Sequence, residues 1–311
     1  MITFYKTIEG RMAQLDGHQD GCWVSVVGPS EEELTLLSRD FGIDSEFLHT
    51  SLDEEESSHI ESEDDQTLIV IDVPYAEKAE ENILYTTMPV GIIIMPNTIV
   101  TVALRENPVL RELSDGMVRA VNTTLRTQFV LHLLLRMASR FLQYLKNIDK
   151  NSSSLEKQLR KSMRNKELVQ LLDLEKSLVY IQTSLKSNEV TVEKILRGRF
   201  VKLYDEDQDL LGDVLIEIKQ AIEMANIYLS ILSNTMDAFA SVISNNLNIV
   251  MKIMTTITIL LSIPTMIFSF YGMNIGMEAG LPFSGSFWFP MILSAVITGT
   301  AGYILFRKGM F

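Results

Sequence analysis

A line of small oxygen-bearing side chains carries the strongest chemical signal in this sequence. Asp237, Ser241, Ser244, Asn248, Met251, Thr255, Thr258, Ser262, Thr265 and Ser269 recur at alternating steps of four and three. That spacing places them on one face of a helix. Between the leading Asp237 and the end of the line, Met251 is the exception in a series of hydroxyls and an amide. Oxygen is the ligand of hard cations, and Mg²⁺ sheds its waters reluctantly. Neutral oxygens that touch its water shell therefore suit passage, whereas fixed charges would hold the ion too tightly to leave. Asp237 falls at one mouth of such a path, where a ring of carboxylates would concentrate or brake cations. Met251 and Met254 are bulky and apolar, as a constriction that gates by dewetting requires. The same spacing also fits small polar residues that pack helix on helix, and the residues alone leave both readings open.

The stripe lies on a segment built to cross a membrane. Residues Ile253–Met277 include no charge, and about 20 helical residues span a bilayer core of ~30 Å. A second uncharged run, Phe287–Phe306, follows a short connection in which Glu278 is the one charge. Lys252 precedes the first span and Arg307-Lys308 follow the second, so the positive-inside rule puts both termini in the cytoplasm and the connection outside. Pro264 removes one backbone hydrogen bond within the first span and favours a kink there. Two spans cannot enclose an aqueous path, because polar groups at membrane depth must face protein or a shared cavity. A conducting form must be an oligomer.

Stepping toward the N-terminus, residues 1–105 read as a mixed α/β domain. β-Branched runs at Cys22–Val27, Thr67–Val73, Val90–Met95 and Thr98–Leu104 predict strands, the last two joined by a Pro96-Asn97 turn. Ser30 and Glu33 have the spacing of a capping box. The acidic run Asp53–Asp65 reads as a solvated loop, since nothing fixes its carboxylates around one point. From Val109 to Ile263 there is no proline, and Gly116, Gly198 and Gly212 are the glycines, which predicts long helices. Val130, Leu134, Met137, Phe141, Leu145 and Ile148 form one apolar face. Lys157, Arg160, Lys161, Arg164 and Lys166 form a basic patch that fits a solvated helix face, an acidic partner or lipid headgroups. The expected units are 1–105 (α/β domain), 106–246 (helical stalk), 247–271 (first, pore-lining span), 272–286 (outer connection), 287–306 (second span) and 307–311 (tail).

The first span ends Tyr271-Gly272-Met273-Asn274. A Tyr-Gly-Met-Asn tetrapeptide there, before a short connection and a final span, resembles the signature of CorA-type magnesium transporters, and the likeness extends over essentially the whole chain. It implies a homopentamer with a funnel-shaped cytosolic part, whose long helices continue into the two spans in the cytoplasmic membrane. It implies a selectivity filter at Tyr271, Gly272, Met273 and Asn274, with the Asn274 ring holding hydrated Mg²⁺. Asn248, Met251, Met254, Thr265 and Asp237 match pore positions of the family. Gly and Asn also suit a helix C-cap, and both roles can hold at once. The family pairs a carboxylate near the first helices with one on the long helix in a regulatory divalent-ion site. Asp213 matches the second, while the first falls on Thr50 and leaves Asp53–Glu56 as the nearby acids. Many members carry Met-Pro-Glu-Leu in the outer connection, where this chain reads Gly276-Met277-Glu278-Ala279-Gly280-Leu281-Pro282.

Composition excludes other classes. Asp and Glu number 40 against 27 Lys and Arg, a net charge of -13, so no nucleic-acid partner is expected. One cysteine, Cys22, and four scattered histidines make neither a disulfide framework nor a zinc site. No P-loop, Gly-rich dinucleotide turn or catalytic triad pattern occurs. The expected protein is a transporter and not an enzyme. It needs no cofactor, its partners are the bilayer and copies of itself, and its cargo is Mg²⁺, with Co²⁺ and Ni²⁺ as further cargo. A Zn²⁺ transporter of the same fold and a non-conducting membrane-anchored sensor are the alternatives.

Overall fold

The β-branched and aliphatic runs of the first third pair into one seven-stranded sheet. Its strands are β1 (Ile2–Ile8), β2 (Arg11–Leu15), β3 (Trp23–Val27), β4 (His59–Glu63), β5 (Gln66–Lys78), β6 (Ile83–Ile94) and β7 (Ile99–Ala103). The order is β2-β1-β3-β7-β6-β5-β4. The β3–β7 pair is parallel and the other neighbours are antiparallel. The structure is a computed structural model that describes residues 1–78, 83–162, 165–198, 200–201, 203–272 and 288–309.

Both faces of the sheet are covered, so its central strands are largely apolar, as two-sided burial favours. On one face lie α1 (Glu31–Phe41) and α2 (Ser45–Thr50). Leu34, Leu37, Phe47 and Leu48 from these helices join Val24, Val26, Leu68, Val70 and Val102 in one core. The predicted capping box opens α1: Glu33 N–H donates to Ser30 Oγ, and Ser30 N–H donates to the Glu33 carboxylate. Gly91 lets the end of α2 approach β6, since a Cβ there would stand 1.8 Å from Ser51 Oγ. The other face carries α4 (Arg126–Ser162) and α5 (Asn165–Leu196), with α3 (Pro108–Ser114) packed on α4. The apolar face read from Val130 to Ile148 is buried at every position. Glu112 of α3 is buried and paired with Arg136 and Arg140 of α4.

One local expectation is corrected. Part of the acidic run is strand: β4 takes His59–Glu63, and Asp64 and Asp65 make the turn into β5 with positive φ. An edge strand with one open face tolerates, and is protected by, outward charges. The long helices expected from Val109 onward form as α4, α5 and the helix α6 (Asp205–Tyr271). Gly116 and Gly198 adopt left-handed φ of 68° and 67° just beyond α3 and α5, which is the helix-ending use of glycine, whereas Gly212 lies inside α6.

The chain divides into two compact units, Met1–Met236 and Asp237–Phe311. Helix α6 (Asp205–Tyr271) contributes to both, and α7 (Trp288–Arg307) belongs to the second. Both helices are long and apolar enough to cross a membrane.

Candidate functional site

The second unit shows what the stripe of α6 faces within one chain. Asp237, Ser241, Ser244, Asn248, Met251, Met254, Thr255, Thr258, Ser262, Thr265 and Ser269 are all exposed. The covered positions of the same helix are Ile253, Thr256, Leu260, Ile263, Pro264, Ile267 and Tyr271, which are buried or half-buried. At 3.6 residues per turn these two sets lie on roughly opposite sides of α6. Helix α7 covers the second set. The Tyr271 and Phe289 rings meet edge to face at 6.1 Å, and Gly302 comes close enough to Leu260 that an added Cβ would touch it at 3.7 Å. The two helices therefore run antiparallel, as a membrane hairpin must.

Small residues permit that contact. Ser294 is buried, and Ala301 and Gly302 are half-buried on the same side of α7, the packing that replaces the hydrophobic effect in lipid. Thr256 is fully buried although its neighbour Thr255 is exposed. The sequence reading took the exposed stripe and missed Thr256 and Ser294, which hold the back of the helix. Their signal was available in the run of small residues of the second span.

Three hydroxyls of the stripe are oriented by the helix itself. Thr258 donates to Met254 O at 2.8 Å, Ser262 to Ile259 O at 2.9 Å and Thr265 to Leu261 O at 2.9 Å. Each proton is thereby committed to a backbone carbonyl, the usual arrangement of Ser and Thr in such helices. What the oxygen retains is acceptor capacity. A row of acceptors matches the protons of a hydrated cation's water shell and repels none of its charge.

Helix α6 closes where the tetrapeptide begins. Gly272 N–H donates to Phe268 O at 2.9 Å, and a Cβ on Gly272 would crowd that carbonyl at 3.1 Å. Met273, Asn274 and Glu278 lie outside the described residues. In the first unit Asp213 is exposed on α6, and Asp53 is exposed after α2, where its Oδ1 accepts from Glu55 N–H at 3.0 Å. Among the described residues no group of three or more His, Cys, Asp or Glu side chains converges on one point. Cys22 is buried, and burial pushes its thiol pKa up, away from reactivity.

Comparison with known proteins places the whole architecture. Residues 18–308 match the family described as CorA-like Mg²⁺ transporter protein. A relative in Methanocaldococcus jannaschii, named cobalt/magnesium transport protein CorA, is 28% identical over 299 residues, covering 92% of this chain and 90% of that protein. The complete structure of the CorA magnesium transporter from the same organism superposes with a TM-score of 0.83 at 27% identity, covering 100% of this chain and 99% of the other. The ZntB cytoplasmic domain from Vibrio parahaemolyticus shares the fold over 79% of this chain and 97% of its own, at 12% identity and a TM-score of 0.59.

Proposed function

Because this chain belongs to the CorA-like Mg²⁺ transporter family, whose members move divalent cations across membranes, we propose that it is one subunit of a homopentameric channel for passive Mg²⁺ uptake. The observation that carries this reading is the row of hydroxyl and amide groups, interrupted at Met251, on the face of α6 that α7 leaves bare. A polar row facing lipid would be costly, and five copies around an axis would turn it into a wet lumen. Asp237 then stands at the cytoplasmic mouth, Met251 and Met254 form the constriction, and Thr255, Thr258, Ser262, Thr265 and Ser269 line the outward half. The Tyr271, Gly272, Met273 and Asn274 segment forms the entrance filter, with Glu278 as an outer cation attractor. The channel sits in the cytoplasmic membrane with both termini inside. A divalent charge gains about 4.6 kcal/mol per 100 mV on entering, so no chemical energy source is needed. Asp213, with Asp53 as the nearby acid, contributes to a Mg²⁺ site between neighbouring subunits that favours the closed state when internal Mg²⁺ is high.

Uptake into proteoliposomes, with Co²⁺, Ni²⁺ and Zn²⁺ as competitors, tests the reading. Potential-driven Mg²⁺ flux that Asn274→Ala reduces at least about tenfold is the expected result. Flux with tight preference for Zn²⁺ would move the assignment to zinc. No flux for any ion would leave a membrane-anchored scaffold.

A further inference from the structure

The most basic stretch of this acidic chain is Lys157–Lys166. It has five Lys and Arg and no acid in ten residues, against a net charge of -13 for the whole. Arg164 lies outside the described residues. The other four, Lys157, Arg160, Lys161 and Lys166, are exposed on the last turns of α4 and the first turn of α5. Arg160 is paired with Glu156. Lys157 and Lys161 make no ion pair among the described residues. They stand one helical turn apart with like charge, which destabilises a helix that no anion covers.

The place of this patch in the first unit indicates which anion. Ser233 donates to Glu175, Gln182 donates to Asn226, and Lys219 pairs with Glu189 at 3.8 Å. Each step of seven back along α5 is thus a step of seven forward along α6, and the two helices are antiparallel. The start of α5 points the way α6 runs toward its apolar segment. Lys166 lies nine residues before Glu175, about 14 Å of helix. The first unit ends at Met236, three residues past Ser233, so the α4–α5 end projects beyond the point where the chain leaves for its span. Lys252, at the start of the uncharged run, follows Met236 by sixteen residues, at most about 24 Å as helix.

Resting on the reading that α6 enters the cytoplasmic membrane from the inside, we propose that the α4–α5 end docks on the anionic lipid headgroups of the inner leaflet, with Lys157, Arg160, Lys161 and Lys166 facing the phosphates. An anionic leaflet attracts each nearby Lys or Arg over a Debye length of ~8 Å. Val169, one turn past Lys166, is also exposed, and bases beside an exposed aliphatic side chain are what an interfacial surface combines. After the second span the chain adds Arg307 and Lys308 as its bases, so the patch supplies most of the positive charge on offer to the leaflet.

The test uses full-length protein with Asn165→Cys carrying a fluorescent donor, reconstituted in vesicles whose headgroups carry an acceptor. Asn165 is exposed at the start of α5 and Cys22 is buried, so the label goes to the α4–α5 end. Phosphatidylcholine vesicles containing phosphatidylglycerol should quench the donor at least about twofold more than phosphatidylcholine alone. Salt at ~1 M, where the Debye length is ~3 Å, should remove the difference. Joint replacement by Lys157→Gln, Arg160→Gln, Lys161→Gln and Lys166→Gln should also remove it with the melting temperature retained, whereas Lys146→Gln with Lys150→Gln, exposed earlier on α4, should leave it in place. Equal quenching in both vesicles, or a fourfold variant that responds like the parent, overturns the proposal. So does a crosslink from Asn165→Cys to a neighbouring copy that is indifferent to lipid and lost in the fourfold variant, which would assign the patch to an acidic surface of another subunit. Insertion into phosphatidylcholine vesicles checks the spans separately. A chain that does not insert defeats the membrane reading and this proposal with it; one that inserts without a lipid response defeats this proposal alone.

Discussion

Two helices of this chain carry stripes of the same residue types at the same spacing and put them to opposite uses. On α5, Ser177, Ser184, Asn188 and Thr191 repeat at steps of seven, four and three and are all buried. Each has a partner in the first unit. Ser177 Oγ accepts from Tyr85 N–H, Ser184 bonds Thr87, and Thr191 bonds Ser58. Asn188 accepts from Asp72 N–H at 2.9 Å and donates to Asp72 O at 2.8 Å. On α6 the stripe from Ser241 to Ser269 is exposed, and Thr258, Ser262 and Thr265 turn their protons back onto the helix. The α5 stripe docks a helix on a sheet by satisfying the backbone of β5 and β6. The α6 stripe offers acceptors to something outside the chain. Residue type and period do not separate the two; what each stripe faces does.

The comparison breaks most readily at Asn188. Asn188→Ala should strand the N–H and C=O of Asp72 in a dry layer and destabilise the protein by about 2–4 kcal/mol, seen as a large fall in melting temperature. Ion selectivity among the molecules that remain folded should not change. A selectivity change without loss of stability would put the α5 stripe in the same class as that of α6.

The stripe itself sharpens the contrast. Thr258→Val and Thr265→Val replace an exposed hydroxyl whose proton is spent locally, so each should shift stability by no more than about 0.5 kcal/mol. Each should nonetheless lower Mg²⁺ uptake several-fold, because a methyl offers no acceptor to the ion's water shell. Thr256→Val, one residue away but buried, should do the reverse and disturb stability by about 1 kcal/mol with flux retained per folded channel. Equal effects of Thr256→Val and Thr258→Val on flux would remove the distinction between the two faces of α6.

Much of this was legible in the sequence, for physical reasons that also mark where legibility stops. The membrane hairpin could be read because a bilayer imposes length and charge limits that few other segments meet. The Pro96-Asn97 turn between β6 and β7 and the Ser30–Glu33 box were readable because their chemistry is local. The strands toward the two edges of the sheet were not. β1 and β2 alternate weakly, and β4 was hidden in an acidic run because an edge strand has a reason to carry charge. The polar stripe of α5 is not marked out in the sequence, since a buried Asn188 announces itself only once the sheet it reads is in place.

The smallest expected effect concerns a charge beside the α5 stripe. Burial pushes the pKa of Asp72 up from its ordinary 3.8, with a hydrogen bond from Ser184 opposing the shift in part. The folded chain therefore holds this proton more tightly than the unfolded chain does. Stability linked to Asp72 is greatest below 3.8 and falls as pH rises through the raised folded value. Asp72→Asn keeps an acceptor for Ser184 and removes the charge, so at pH above the raised folded value it should increase the melting temperature by no more than about 2 °C. The gap between variant and parent should open as pH climbs out of the acid range and then stay constant. A gap that instead closes with rising pH would mean that the ionised carboxylate is welcome where it sits, and that the polar layer between α5 and the sheet is wetter than its buried hydrogen bonds imply.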